Sequence, residues 1–201
     1  MANRNTSGFG LIPVGTIGST PSTQGQGKYY IDAAYDVDLF QGSAVQSKVG
    51  YIKTAQAAIT NTCIGVLNGI FYNASTTLKP TWANWYNQPI TPANSEDLTA
   101  FVMDNPFQLF VGSLDAAAAQ AVYGYTVGLT VTAAGSELSG QSSSTLTETS
   151  KHIANNQWRL IRSAEDPENN QNASYRSVVV AHNLNQYLQN ISTTPAGITW
   201  Q

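Results

Sequence analysis

Short runs of β-branched and aromatic residues, separated by turn residues, are the main pattern of this sequence from Lys28 onward. Val, Ile, Thr, Tyr and Phe favour strands, and Gly, Pro, Asn and Asp interrupt them. One helix is predicted over Asp115–Tyr123, with Asp115 as its N-cap and Gly124 as its end. Strands are predicted near residues 28–33, 43–54, 64–72, 99–104, 107–112, 126–132, 144–149, 157–165 and 175–183. Many short strands with one small helix predict an all-β fold, a small β-barrel or sandwich, including a β-tulip-like form.

Residues 1–27 differ from the rest because they are rich in Gly and small polar residues, which make poor helices and poor strands. They are either a frayed terminus or an extended N-terminal arm. We favour the arm, because a frayed tail has no need of apolar side chains. Those side chains are predicted to dock into a neighbouring subunit, which makes interface candidates of Phe9, Leu11, Ile12, Val14 and Ile17. The predicted organisation is therefore the arm (1–27), a β-rich core (28–187) with an inserted loop (73–98), and a C-terminal tail (188–201).

The composition is unusually poor in charged residues. Charged residues make up 10% of the chain, against roughly a quarter in an average soluble domain. Ser, Thr, Asn and Gln together number 70 of the 201 residues. Hydroxyl and amide groups can be buried against another protein at a lower desolvation cost than ions can. The sequence therefore favours a protein whose surface becomes covered in an assembly.

Charge and cysteine usage exclude several classes of function. The nine basic residues form no cluster, so binding to the phosphates of nucleic acid is not expected. No apolar run approaches the ~20 residues of a membrane helix, and no signal peptide begins the chain. Cys63 is the only cysteine, so no disulfide can form within the chain. Synthesis and folding in a reducing cytoplasm are the simplest expectation.

Catalytic motifs are scarce. His152 and His182 are the only histidines, and neither belongs to a zinc-binding pattern. Asp32, Asp36 and Asp38 form the densest acidic group, which could be a calcium site or, as we favour, a solvated turn. We therefore expect neither enzymatic activity nor a cofactor.

The aromatic cluster Trp82, Trp85 and Tyr86 lies in the inserted loop. Such a loop can fold over one end of a barrel with its aromatic rings buried. Exposed rings could instead anchor a protein partner or stack on sugars. These three readings remain open from the sequence, and the three residues are further interface candidates.

The order of segments along the chain resembles that of small virion proteins of tailed bacteriophages, the head decoration or capsid cement proteins. The resemblance is spread over residues 9–187 and rests on order and pattern rather than on a diagnostic motif. The segments that show the resemblance are the stretch from Phe9 to Val14 and residues 30–45, 64–69, 104–111, 158–169 and 177–183.

The resemblance implies a structural protein bound to the outside of a capsid, where it bridges neighbouring subunits of the major capsid protein. Such proteins are β-rich, often homotrimeric, and use extended terminal arms. The expected partners are thus the major capsid protein and further copies of this chain, and the expected location is the capsid exterior. The alternative is a receptor- or glycan-binding β-module of a phage fibre or adhesin, which would use the aromatic cluster.

Overall fold

The computed structural model describes residues 5–18, 25–55, 62–117, 119–130, 134–152, 156–170 and 172–188. This part of the chain contains twelve strands and two 3₁₀ turns, which confirms the predicted all-β class. The turns are Ala93–Ser95 and Gln120–Val122. The strands are β1 (Leu11–Thr16), β2 (Gly27–Ile31), β3 (Ala44–Lys48), β4 (Tyr51–Thr54), β5 (Gly65–Asn73), β6 (Pro80–Ala83), β7 (Leu98–Met103), β8 (Gln108–Leu114), β9 (Thr126–Thr130), β10 (Thr145–His152), β11 (Trp158–Ser163) and β12 (Arg176–His182).

Five strands close into a barrel. They follow the order β8-β10-β9-β11-β12, and β12 pairs back onto β8. The interior is filled by buried side chains that include Phe110, Leu114, Leu146, Trp158 and Val180. In a closed barrel every strand is paired on both sides, so a few short strands can enclose one continuous core.

The other strands form a second sheet in the order β2-β7-β5-β3-β4, and β6 pairs with the far end of β5. Its inner face buries a second core, with Ile31, Ile52, Ile70 and Leu98 among its members. Cys63, Val66 and Met103 from this half of the molecule pack into the barrel cluster. The two sheets therefore share a packed interior in a sandwich-like arrangement.

The single strand predicted over 43–54 is a hairpin of β3 and β4. Lys48 is paired with Tyr51, so the turn consists of Val49 and Gly50 alone. Their φ angles are 54° and 84°, the two positive values that a type I′ turn requires. A β-branched valine is an unusual residue for the first of these positions, so Val49-Gly50 is not a typical hairpin-turn pair and the turn was not predicted.

The helix predicted over Asp115–Tyr123 is wrong. Only Gln120–Val122 forms a 3₁₀ turn, while the Asp115 carboxylate accepts a hydrogen bond from the Glu148 N–H across to β10. The alanine run is too short to form a stable helix by propensity alone, and Val122 is drawn into the barrel core. Within the described ranges, no helix is long and apolar enough to cross a membrane.

Two segments that the sequence marked as irregular contain strands. Leu11–Thr16, within the predicted arm, pairs antiparallel with β8 of the same chain. Pro80–Ala83, within the predicted inserted loop, pairs with β5. The Gly and Pro content of these segments predicted irregular structure. They form strands because pairing with an existing sheet edge overrides weak local strand propensity. Of the predicted tail 188–201, only residue 188 lies within the described residues.

Candidate interaction surface

The first strand presents one side chain to the barrel and two to the outside. Leu11 is 2% exposed and belongs to the barrel core, whereas Ile12 and Val14 are 43% and 49% exposed. Ile17 follows the strand and is 47% exposed, and its N–H donates to the carbonyl of Phe107. Three of the five residues predicted for the arm are therefore exposed apolar side chains, while Leu11 is a core residue and Phe9 is half-buried.

The exposed aliphatic residues of β1 continue onto β8. Ile12 lies opposite Val111, and paired residues of an antiparallel ladder point to the same face. Phe110 is in the core, so its neighbours Leu109 and Val111 lie on the opposite face of the strand, where both are half-buried. Phe107, which precedes β8, is 55% exposed. We name these residues the β1–β8 surface: Ile12, Val14, Ile17, Phe107, Leu109 and Val111.

The β1–β8 surface is free of charge along both of its strands. Neither the segment 11–17 nor the segment 107–114 contains an Asp, Glu, Lys or Arg residue. A contiguous exposed apolar surface is uncommon on monomeric proteins and marks sites of protein association. Because its own side chains carry no charge, burying them would contribute to binding without the cost of desolvating an ion among them.

The outer edge of β1 is poorly suited to pairing with another strand. Pro13 has no N–H to donate, and the register shifts between Pro13 and Gly15 as in a β-bulge. The Leu11 N–H already donates to the carbonyl of Gly42 at 2.9 Å. Prolines and bulges are features that protect sheet edges from strand addition. A partner would therefore contact the side chains of this surface rather than extend the sheet.

The aromatic residues of segment 73–98 do not form one cluster. Trp82 is 52% exposed, whereas Trp85 stacks on Phe40 with ring centroids 4.9 Å apart. Tyr86 is fully buried, and its hydroxyl donates to the carbonyl of Tyr35 at 2.7 Å. The alternative in which the aromatic rings are buried is therefore right for Tyr86. Of the three residues, only Trp82 has a largely exposed ring.

Trp82 belongs instead to an aromatic face on the second sheet. Trp82 is paired with Phe71, and Phe71 and Tyr30 are both paired with Thr99, which places one row across β6, β5, β7 and β2. Trp82 also contacts Phe101, with centroids 5.1 Å apart. Tyr30 and Phe71 are both exposed. We name this group the aromatic face: Tyr30, Phe71, Trp82 and Phe101.

Sequence reasoning missed most of both surfaces. Leu109 and Val111 lie in a run where both faces of the strand are apolar, so the alternation does not tell which face is outward. Tyr30 and Phe71 are far apart in sequence and become neighbours only through Thr99. Only the alternation of apolar and polar residues along a strand could have indicated these surfaces. Alternation assigns residues to one face of their strand, but it does not give the order of the strands in the sheet.

A small cleft adjoins the β1–β8 surface where β1 meets the second sheet. Gly10 and Gly42 have φ angles of 74° and 87°, and a Cβ atom on Gly10 would lie 2.8 Å from the Gly42 carbonyl oxygen. Glycine at these positions allows the two backbones to approach closely. The cleft has a volume of about 230 Å³ and is lined by Phe9, Leu11, Ile12, Pro13, Gln41, Gly42, Asn68, Met103 and Gln141.

Cys63 and His182 are in contact, but burial holds both in neutral forms. The Sγ atom lies 3.4 Å from Nδ1, and the imidazole ring lies against Trp158 and Phe110. Burial raises the pKa of the Cys63 thiol to about 12 and lowers the pKa of His182 to about 3. Nucleophilic attack needs a thiolate, so these pKa values make the pair a packing contact at neutral pH.

The acidic group Asp32, Asp36 and Asp38 was the calcium-site candidate of the sequence. Within the described residues, no three His, Cys, Asp or Glu side chains could together hold a metal ion. The Asp32 carboxylate instead accepts a hydrogen bond from the Ala34 N–H, and Asp38 accepts one from the Gln88 N–H. Both bonds are typical of carboxylates that order turns and loops.

Comparisons of the chain with protein-family models, with curated proteins and with solved structures found no match in any of the three.

Proposed function

We propose that this protein is a structural virion protein that binds the outside of a bacteriophage capsid and stabilises it by bridging neighbouring major capsid protein subunits. The β1–β8 surface is the observation that carries the proposal. Its six side chains are all apolar, Ile12, Val14, Ile17 and Phe107 among them are exposed, and its two segments contain no charged residue beside a closed barrel. The low charge of the whole chain and the resemblance of its segments to decoration proteins support the same function.

The mechanism is one of distributed burial. A capsid gains strength when many copies of a second protein each bury area across a junction between subunits. At about 25 cal/mol per Å², even a modest apolar contact repeated over the shell adds appreciable stability. We propose that the protein acts as a homotrimer, so that three β1–β8 surfaces engage neighbouring capsid subunits together.

The experiment uses capsids assembled from the major capsid protein of the phage that carries this chain. Binding is measured by co-sedimentation for the wild-type protein, Val14→Asp and the control Leu138→Asp. Leu138 is fully exposed and lies outside the β1–β8 surface, so it receives the same change without touching the proposed contact. We expect Val14→Asp to weaken binding at least about tenfold and Leu138→Asp to leave it unchanged. Absence of the protein from purified virions, or equal binding by both variants, would refute the proposal.

The aromatic face favours a second candidate, a glycan-binding module. The exposed rings of Tyr30, Phe71 and Trp82 offer apolar planes on which sugar rings can stack. A glycan array probed with the wild-type protein, Trp82→Ala and Trp85→Ala distinguishes the candidates. Glycan binding that is lost in Trp82→Ala and kept in Trp85→Ala would support this function, because Trp85 is stacked on Phe40 and is not a member of the aromatic face. No binding to any glycan would remove it.

A further inference from the structure

The cleft beside β1 combines an apolar floor with amide groups. Leu11 and Met103 are buried, and Ile12 and Pro13 continue the apolar lining toward the β1–β8 surface. Gln41, Asn68 and Gln141 supply the polar groups, and none of the described residues that line the cleft is charged. An occupant that carries a charge would lose its hydration without gaining an ion pair, so the lining favours an uncharged one.

The amide groups offer both a donor and an acceptor. Gln41 donates from Nε2 to Oδ1 of Asn68 at 3.0 Å, which orients the two side chains relative to each other. This bond uses the Asn68 oxygen and one Gln41 donor, and among the described residues it leaves the Asn68 Nδ2 donors and the Gln41 Oε1 acceptor for another molecule. A peptide group carries the complementary pair, one carbonyl acceptor and one N–H donor.

The size of the cleft limits what it can enclose. Sites for drug-sized ligands have volumes of roughly 300–1,000 Å³, and this cleft has about 230 Å³. It is therefore suited to one side chain of a longer molecule that continues outside it. Ile12 lies in both the cleft and the β1–β8 surface, so such a molecule could run from one to the other.

We propose that this cleft binds an extended, uncharged peptide segment of a partner protein, with one aliphatic side chain against Leu11 and Met103 and the adjoining peptide group hydrogen-bonded to Asn68 and Gln41. This mode differs from strand addition, which Pro13 and the bulge after it disfavour at the edge of β1. The proposal rests on the proposed function only for the identity of the partner, a capsid subunit. The chemistry of recognition belongs to the cleft itself.

The test is an NMR titration of the ¹⁵N-labelled protein with the blocked peptide Ac-Ala-Leu-Ala-NH₂ at millimolar concentrations. We expect saturable shifts at the backbone amides of Gly42, Asn68 and Met103 and at the side-chain amides of Gln41 and Asn68. Ac-Ala-Asp-Ala-NH₂ and methyl glucoside serve as the charged and sugar controls, and neither should shift these signals. Absence of saturable shifts with the leucine peptide, or an equal response to either control, would overturn the proposal.

Two matched variants locate the binding. Asn68→Leu removes the proposed donor and should weaken peptide binding about tenfold, the equivalent of one hydrogen bond. Asn73→Leu makes the same change on the same strand outside the cleft and should bind as the wild type does. If Asn68→Leu loses the dispersed spectrum of a folded protein, Gln41→Leu, which removes the proposed acceptor, replaces it, with the same expected weakening. Unchanged binding by the cleft variant would overturn the proposal.

The outcomes separate this inference from the proposed function. Peptide binding by a protein that does not bind capsids would refute the virion role and leave the cleft assignment intact. Capsid binding by a protein that does not respond to the peptide would refute the cleft assignment alone.

Discussion

The Sγ atom of Cys63 lies 3.4 Å from Nδ1 of His182, and this contact joins the chain that enters β5 to the end of the last barrel strand. The surrounding backbone makes the same connection, because the Cys63 N–H donates to the Leu184 carbonyl and the Gln186 N–H donates to the Cys63 carbonyl. A neutral imidazole at this junction has a consequence for stability in acid.

Acid should destabilise the protein through His182. Its pKa is about 3 in the folded state and about 6.5 when unfolded, so between these values the unfolded state binds the proton and folding stability falls as the pH falls. We expect the free energy of unfolding to drop by about 2 kcal/mol from this group between pH 7 and pH 5. Urea unfolding of His182→Phe at both pH values should show that drop abolished. The exposed His152 provides the control, because a drop abolished in His152→Gln instead would contradict its assignment to His182.

Strand β1 should contribute to the stability of the barrel. Leu11 is buried in its core, so Leu11→Ala should lower the free energy of unfolding by about 3 kcal/mol. Ile12 is next to it in sequence but points outward, and Ile12→Ala should cost about 1 kcal/mol or less. Urea denaturation of both variants measures the difference. Equal small losses would mean that β1 is not part of the folded barrel in solution.

The turn between β3 and β4 should be improvable by one substitution. Val49 is 89% exposed and adopts a φ of 54°, a left-handed conformation that disfavours β-branched residues and suits asparagine. Val49→Asn should raise the free energy of unfolding by about 1 kcal/mol. Leu138→Asn, at a fully exposed position with negative φ, should change stability little in the same thermal or urea measurement. A loss of stability in Val49→Asn would contradict the assigned turn.

Gly10 should be required for space as well as for conformation. Gly10 and Gly18 both have positive φ, but a Cβ on Gly10 meets the Gly42 carbonyl oxygen at 2.8 Å while one on Gly18 meets nothing within 4 Å. Gly18→Ala should therefore cost about 1 kcal/mol, and Gly10→Ala at least about 2 kcal/mol more. Equal costs in denaturant unfolding would show that the close approach beside the cleft does not exist.

The class of fold could be predicted because strand propensity and turn residues are local signals. The predicted strands near 64–72, 107–112 and 175–183 match β5, β8 and β12 to within a few residues. The helix at Asp115–Tyr123 failed because tertiary packing of Val122 outweighed the helix propensity of an alanine run. The strand at Leu11–Thr16 was missed for a related reason, since its regularity comes from pairing with β8 rather than from its own residues.

The sequence by itself determined that this protein is all-β, poor in charge and without a recognisable catalytic motif, because composition and alternation are properties of short stretches. Only the tertiary structure decided which apolar residues form surfaces. Ile12 and Val111 are about a hundred residues apart and become neighbours through one antiparallel register, as do Phe71 and Trp82 through another. Leu11 and Tyr86 are as apolar as their exposed neighbours, yet they are buried. The strand register and the closure of the barrel depend on packing between residues that are far apart in the sequence, so no local pattern encodes them.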